Sequence, residues 1–236
     1  MKKYNSWPLG RLPKEMQRQE PFLIREHGYT WDDPREIVTM FENKVVKFTG
    51  AKYAVATDCC THAIHLCLEY YMRHINETCG VITIPRRTYI STPLVIEQAG
   101  YKVEFADIEW YGKYKLVPTN IWDAAVVWNS QMYDRPGSLM CLSFQIKKAV
   151  PIGRGGMVLT DDKGAAEWIR LASYDGRDLN TPYDSEEHMK IKGWHYYMTP
   201  EDAARGILLM DMAEEKGNYM GWNNYPDVEQ MLKNIK

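Results

Sequence analysis

The sequence predicts an α/β protein of three layers, α/β/α, with a mostly parallel central sheet. Two observations carry this. Short apolar runs of strand length, at residues 53–57, 81–84, 102–106, 121–125 and 139–142, alternate with stretches of helical period; such alternation builds parallel sheets covered on both faces. The chain of 236 residues, 45% hydrophobic and 25% charged, can bury a sizeable core, and one large domain is expected rather than two.

In chain order, residues 1–30 are polar and interrupted by Pro8, Pro13 and Pro21, so residues 1–33 read as an extended arm. Asp33 and Pro34 open a helix as N-cap and first helical residue, and Ile37, Phe41, Val45 and Phe48 follow at helical spacing up to Gly50. The strand 53–57 runs into Thr61 and an amphipathic helix marked by Ile64, Leu68 and Tyr71. A strand–turn–helix of this kind aims backbone amides at an anion, and equally leaves Thr61 as a plain N-cap. Strand 81–84, a helix through Val95 to Gly100, and strand 102–106 with Asp107 at its end come next. The short strand 121–125 carries Asp123 among small residues; its carboxylate can pair with a ring nitrogen or cap a turn.

Residues 139–160 are the organising stretch. An apolar strand leads into Ser143, Lys147 and Lys148, then a turn with Gly153, Gly155 and Gly156, then the apolar run 157–160. A lysine at the end of a buried strand is a candidate for Schiff-base chemistry, because burial favours its neutral, nucleophilic amine. A helix opened by Asp161, a polar loop at 178–192 expected to be mobile, and a helix from Thr199-Pro200 through residue 215 complete the large domain, set at 34–215. Residues 216–236 form a short tail.

Composition narrows the function classes. A net charge of −2 gives no case for nucleic acid or an anionic membrane. Residues 1–20 lack the apolar core of a signal peptide, no run is long enough to span a bilayer, and five cysteines make no disulfide framework; the expectation is a soluble protein of a reducing compartment, the cytoplasm. Cys59, Cys60, His62 and His65 lie close together, but no second pair closes a tetrahedral set, so no metal site is expected. Gly153-Arg154-Gly155-Gly156 precedes a strand rather than opening a helix, which excludes a dinucleotide fingerprint.

The pieces together resemble the DegT-type (DegT/DnrJ/EryC) sugar aminotransferases. The resemblance rests on Phe41-Glu42, Thr49-Gly50, residues 53–56, 61–66 and 85–92, 100–108, Asp123-Ala124-Ala125, Ser143 with Lys148, 153–157, 176–178 and 193–199. It implies a truncated large domain of the pyridoxal-phosphate-dependent transferase fold (fold type I). The tail 216–236 then stands in place of a small C-terminal domain, and a strand–helix–strand portion is missing between Asp107 and Asp123. It implies pyridoxal 5′-phosphate as cofactor, with Lys148 as the Schiff-base lysine; its offset from Ser143 favours it over Lys147. Asp123 is matched to the pyridine-nitrogen partner, Tyr89 to the aromatic that stacks on the ring, and Cys60, Thr61 and Ser143 to phosphate contacts. His195 matches the residue that reaches the phosphate of a neighbouring subunit, which implies a homodimer with sites at the interface. Cys60, Val126, His195 and Tyr197 depart from the family pattern.

The resemblance implies amino transfer from an amino acid such as glutamate to a nucleotide-linked keto sugar. Related dehydratases replace the lysine with histidine, so Lys148 favours transamination. The alternative is a relic that binds cofactor or serves as an interaction subunit.

Overall fold

The computed structural model describes residues 17–75, 80–182, 185–213 and 220–234. Its helices are α1 (Glu20–Glu26), α2 (Glu36–Thr49), α3 (Cys60–His74), α4 (Ser91–Gln98), α5 (Lys163–Ser173), α6 (Pro200–Met210) and α7 (Val228–Lys233). Its strands are β1 (Tyr53–Thr57), β2 (Val81–Pro85), β3 (Lys102–Ala106), β4 (Tyr114–Lys115), β5 (Ile121–Asp123), β6 (Leu139–Ser143) and β7 (Gly156–Thr160). Among the described residues the strands form a sheet of order β1-β7-β6-β5-β4 and a separate pair β2-β3. Backbone hydrogen bonds exchanged by Thr83 and Val117, at 2.8 and 3.1 Å, tie the pair to the chain just after β4.

The α/β class is as expected, and the sheet is mixed rather than mostly parallel. Pairs β5-β6 and β2-β3 are parallel, whereas β1-β7, β6-β7 and β4-β5 are antiparallel. The reversals come from short connections. Between β6 and β7 the chain folds straight back, with Phe144 N–H on Gly155 O at 2.9 Å and Gly153 N–H on Phe144 O at 3.2 Å, and no helix is available for a parallel crossover. In the same way Leu116 N–H bonds Ile121 O at 2.9 Å, closing the hairpin between β4 and β5.

The central strands are buried on both faces. In β1, Val55 faces one core while Ala54 and Ala56 face the other; in β6, Leu139 and Cys141 oppose Met140 and Leu142; in β7, Val158 opposes Met157 and Leu159. This period of two sorts the strand residues into two layers. On one face lie Leu66 and Leu68 of α3 and Ile169 of α5; on the other lie Phe41 of α2 and Ile207 of α6. Glu42 joins the second layer to the sheet. It is buried, accepts the Ala56 amide at 2.8 Å, and holds both terminal nitrogens of Arg170 at 3.0 and 2.7 Å.

Several boundaries differ from the sequence reading. The arm contains helix α1, because Pro21 sits in its first turn, where no amide partner is lost. Helix α2 begins at Glu36 with Arg35 at its N-cap, so Asp33 and Pro34 lie in the turn before it rather than at the cap and first helical position; the Asp33 carboxylate is engaged locally, accepting the Arg35 amide at 2.9 Å, while the Glu36 side chain accepts the Asp33 amide at 3.1 Å. Helix α5 is capped by Asp162 rather than Asp161. Helix α6 starts at Thr199 as expected and its described turns end at Met210; residue 215 lies outside the described residues. The described part of the 178–192 loop is pinned by a bridge between Arg177 and Met189 and by Asp178 N–H on His188 O at 2.9 Å.

Candidate active site

The ends of β1, β5 and β6 converge on one cavity of about 340 Å³, within the range of small-molecule sites. Cys60, Thr61, Tyr89, Asp123, Ser143 and Lys148, six of the residues singled out in the sequence, all line it. His195 does not. It stands exposed on the segment after α5, with Nδ1 at 3.1 Å from Asp175.

Thr57, at the end of β1, holds the turn into α3 by donating its hydroxyl to Cys59 O at 3.0 Å. Cys59 is extended and is the N-cap, so α3 begins at Cys60 and Thr61 is its second residue, not its cap. The first-turn amides of this helix have no intrahelical acceptor and face outward from its N-terminus. The turn is packed directly on the start of β7: a Cβ on Gly156 would lie 2.3 Å from Cys59 C and 2.4 Å from Cys60 N. Only a glycine admits that approach. Thr61 Oγ1 lies 2.8 Å from Ser91 Oγ, which fixes the hydroxyls of α3 and α4 side by side at the cavity.

Asp123 ends β5, only 6% exposed. Its Oδ1 accepts the Ala125 amide at 3.0 Å, and its Oδ2 accepts the Tyr114 hydroxyl at 2.8 Å, with the Thr92 hydroxyl at 3.4 Å. Tyr114 also meets the Thr88 hydroxyl. Burial raises the Asp123 carboxyl above its ordinary range; Tyr114, the Ala125 amide and the charge of Lys148 oppose this without cancelling it. Lys148 responds in the opposite sense. Burial lowers its amine below the usual lysine range, and the charges of Asp123 and Cys60 only partly restore it. Among the described residues its ammonium has no hydrogen bond or ion pair, whereas Lys147 beside it is exposed. Burial likewise pushes the Cys60 thiol well up, which makes it a poor nucleophile.

Beside the turn, Asp58, Cys59 and His62 bring three donor atoms within 4.8 Å of one another, a convergence the cysteine and histidine spacing did not reveal. Its chemistry is that of an ion-pair network. Arg154 holds Asp58 Oδ2 at 2.9 Å and His62 Nδ1 lies 2.6 Å from Asp58 Oδ1. Burial works against the His62 proton, but Asp58 and Cys59 outweigh it and push His62 up to about 9. Its ring stacks on Tyr196 at 3.7 Å.

A family model matches residues 26–126 and 121–218: the DegT/DnrJ/EryC1/StrS aminotransferase family. The chain belongs to this family. Spore coat polysaccharide biosynthesis protein SpsC of Bacillus subtilis (strain 168) is 29% identical, over 67% of this chain and 50% of the relative. The chain spans about half the length of the curated relatives it matches. Among solved structures, the sugar aminotransferase CalS13 from Micromonospora echinospora superposes with a TM-score of 0.62 at 15% identity, over 82% of this chain and 64% of that one. NtdA from Bacillus subtilis, with bound cofactor PMP, superposes with a TM-score of 0.59 at 16% identity, over 81% and 51%. At these identities the likeness is one of fold.

Pyridoxal 5′-phosphate is the cofactor of the DegT-type family, and the residues present fit it. An amine without a partner, a buried carboxylate with lone pairs to spare, and a helix N-terminus with a hydroxyl pair share one cavity. Tyr89, 58% exposed at its rim, is free to cover a ring.

Several lining residues escaped the sequence reading, Tyr114 and Tyr225 among them. Tyr114 belongs to a strand of only two residues, too short for any periodic signal. Tyr225 lies in the segment taken for a tail.

Proposed function

We propose that this chain is a pyridoxal-phosphate-dependent aminotransferase that transfers the amino group of an amino acid, glutamate, to a nucleotide-linked keto sugar. The observation that carries the reading is Lys148. An amine lowered by burial stands in one cavity with a buried carboxylate, and among the described residues the amine has no partner and no cation contacts the carboxylate directly.

When bound, pyridoxal phosphate supplies the carbonyl that carries the amino group and a ring that takes up negative charge. Lys148 Nζ anchors the cofactor and, when neutral, accepts and returns the proton at the substrate carbon. Asp123 Oδ2 accepts the ring N–H; the bond keeps that nitrogen protonated, and the opposite charge there favours the ionised carboxylate. Thr61, Ser143 and the first-turn amides of α3, Cys60 among them, hold the phosphate. Tyr89 covers one face of the ring. His195, pointing away from its own cavity, contacts the phosphate of a second copy, so the active species is a homodimer.

The test is incubation of the cofactor-loaded protein with ¹⁵N-glutamate and a panel of nucleotide-linked keto sugars, read by mass spectrometry. An isotope-labelled amino sugar nucleotide supports the proposal. Its absence with every sugar, while glutamate still loses its amino group, refutes the sugar assignment. A second reading, a cofactor-binding or interaction subunit, is favoured by Val126, an apolar residue in the cavity lining. It predicts bound cofactor with no amino transfer from any donor.

A further inference from the structure

The segment 220–234 lies against the loops after β2 and β3. Its backbone is tied at both ends of that path. Gly112 N–H bonds Met220 O at 3.0 Å, and Trp222 N–H bonds Trp110 O at 2.9 Å; farther on, Val228 N–H bonds Arg86 O at 2.9 Å. Arg87 donates to Tyr225 O at 3.1 Å, and Arg86 reaches Glu229 at 3.2 Å. Gly221 lets the strands touch: a Cβ there would lie 2.4 Å from Tyr111 Cδ1 and 2.7 Å from Trp110 O. Val228 is fully buried.

This path places Met220 and Tyr225 in the cavity lining. The Tyr225 ring lies 5.5 Å from that of Trp110, which lies 4.9 Å from that of Tyr114, the residue bonded to Asp123. Among the described residues the Tyr225 hydroxyl has no hydrogen-bond partner. The residue is half-buried and lines the cavity, so its hydroxyl is available to a ligand oxygen there.

We propose that the segment 220–234 is a wall of the cavity, and that the Tyr225 hydroxyl donates a hydrogen bond to an oxygen of the ligand held against Asp123. The proposal rests on the aminotransferase reading for the identity of that ligand, pyridoxal phosphate, and not for the wall. Burial, with the charge of Asp123 next in size, pushes the Tyr225 phenol up to about 12, so the donor stays protonated.

Two measurements test it. In the ligand-free chain, alkylation of Cys60 is followed by mass mapping in a Cys59→Ser background. Gly221→Val, which forces the segment off Trp110 and Tyr111, is expected to speed labelling by on the order of tenfold or more, and Tyr225→Phe to leave it unchanged. Equal rates in wild type and Gly221→Val overturn the wall. In absorbance titrations with pyridoxal phosphate, Tyr225→Phe is expected to weaken binding by about threefold to tenfold, the loss of one hydrogen bond. An unchanged dissociation constant in that variant overturns the contact. Should Gly221→Val fail to fold, Val228→Ala, which removes the buried anchor at the far end of the segment, takes its place, and a Cys60 labelling rate equal to wild type in that variant overturns the wall. A wild-type chain that binds no pyridoxal phosphate sinks the underlying reading and the contact with it, while the labelling rates still judge the wall.

Discussion

Replacing Tyr114 by phenylalanine removes one oxygen from the buried network around Asp123. That oxygen donates to Asp123 Oδ2 at 2.8 Å and is the largest influence opposing the upward shift that burial imposes on the carboxyl. A hydrogen bond to a charged acceptor contributes about 1.5–3 kcal/mol, equivalent to roughly one to two pKa units. The sign follows from linkage. Asp123 in the ligand-free fold titrates above its unfolded value, so the fold binds this proton more tightly than the unfolded chain, and stability falls as pH rises through that window. Tyr114→Phe lifts the folded value further and deepens the fall. At acid pH, with Asp123 protonated in both proteins, only the pH-independent loss of packing and of the Thr88 contact remains. Thermal unfolding of both proteins between pH 4 and 8 reads this directly. The gap in Tm is expected to widen with pH by roughly 3–12 °C, at about 2–4 °C per kcal/mol for a chain of this size. A gap that stays constant across the range refutes the coupling between Tyr114 and Asp123.

Further outcomes follow from other buried charges. Glu42→Ala leaves the Ala56 amide without its acceptor and Arg170 with only the Ala54 carbonyl and is expected to cost about 1–3 kcal/mol in urea unfolding; Glu42→Gln, which keeps one acceptor, loses less. His62, held near 9 chiefly by Asp58 against burial, contributes stability that is full below its unfolded value of about 6.5 and is lost as pH rises through 9. In Asp58→Asn the His62 ring resonances, followed by NMR, should titrate well below 9, and an unmoved midpoint would assign the shift to another group.

How much of this was legible beforehand depends on the length of the signal. Strands β1, β2, β3, β5 and β6 were readable because each is a run of apolar residues between helical periods, and the Thr199 cap because side-chain chemistry at a helix start is local. The resemblance named the six lining residues, and strand order already placed Thr61, Tyr89 and the Asp123 and Lys148 regions together, because ligands sit beyond the ends of strands. Strand direction was not legible: a parallel and an antiparallel partner demand the same buried residues, and only the tight return from Phe144 to Gly155 decides between them. Helix α1 was hidden by Pro21, which reads as a breaker unless its place in the first turn is known. Tyr114 and Tyr225 reach the cavity through long-range pairing, Tyr114 against Asp123 across a two-residue strand and Tyr225 through a segment far along the chain, and no local pattern encodes either. The Asp58, Cys59 and His62 group became visible only with Arg154 beside it.

The central claim is that Lys148, in the pocket with Asp123, gives this chain working cofactor chemistry. The most direct test is the absorbance spectrum of the purified protein with pyridoxal phosphate, before and after glutamate, alongside Lys148→Ala and borohydride trapping. The account predicts a band near the visible edge in wild type that fades with glutamate, and borohydride-fixed cofactor that disappears in Lys148→Ala while Lys147 remains. Trapping that persists unchanged in Lys148→Ala, or a wild-type chain that shows no such band, would contradict it.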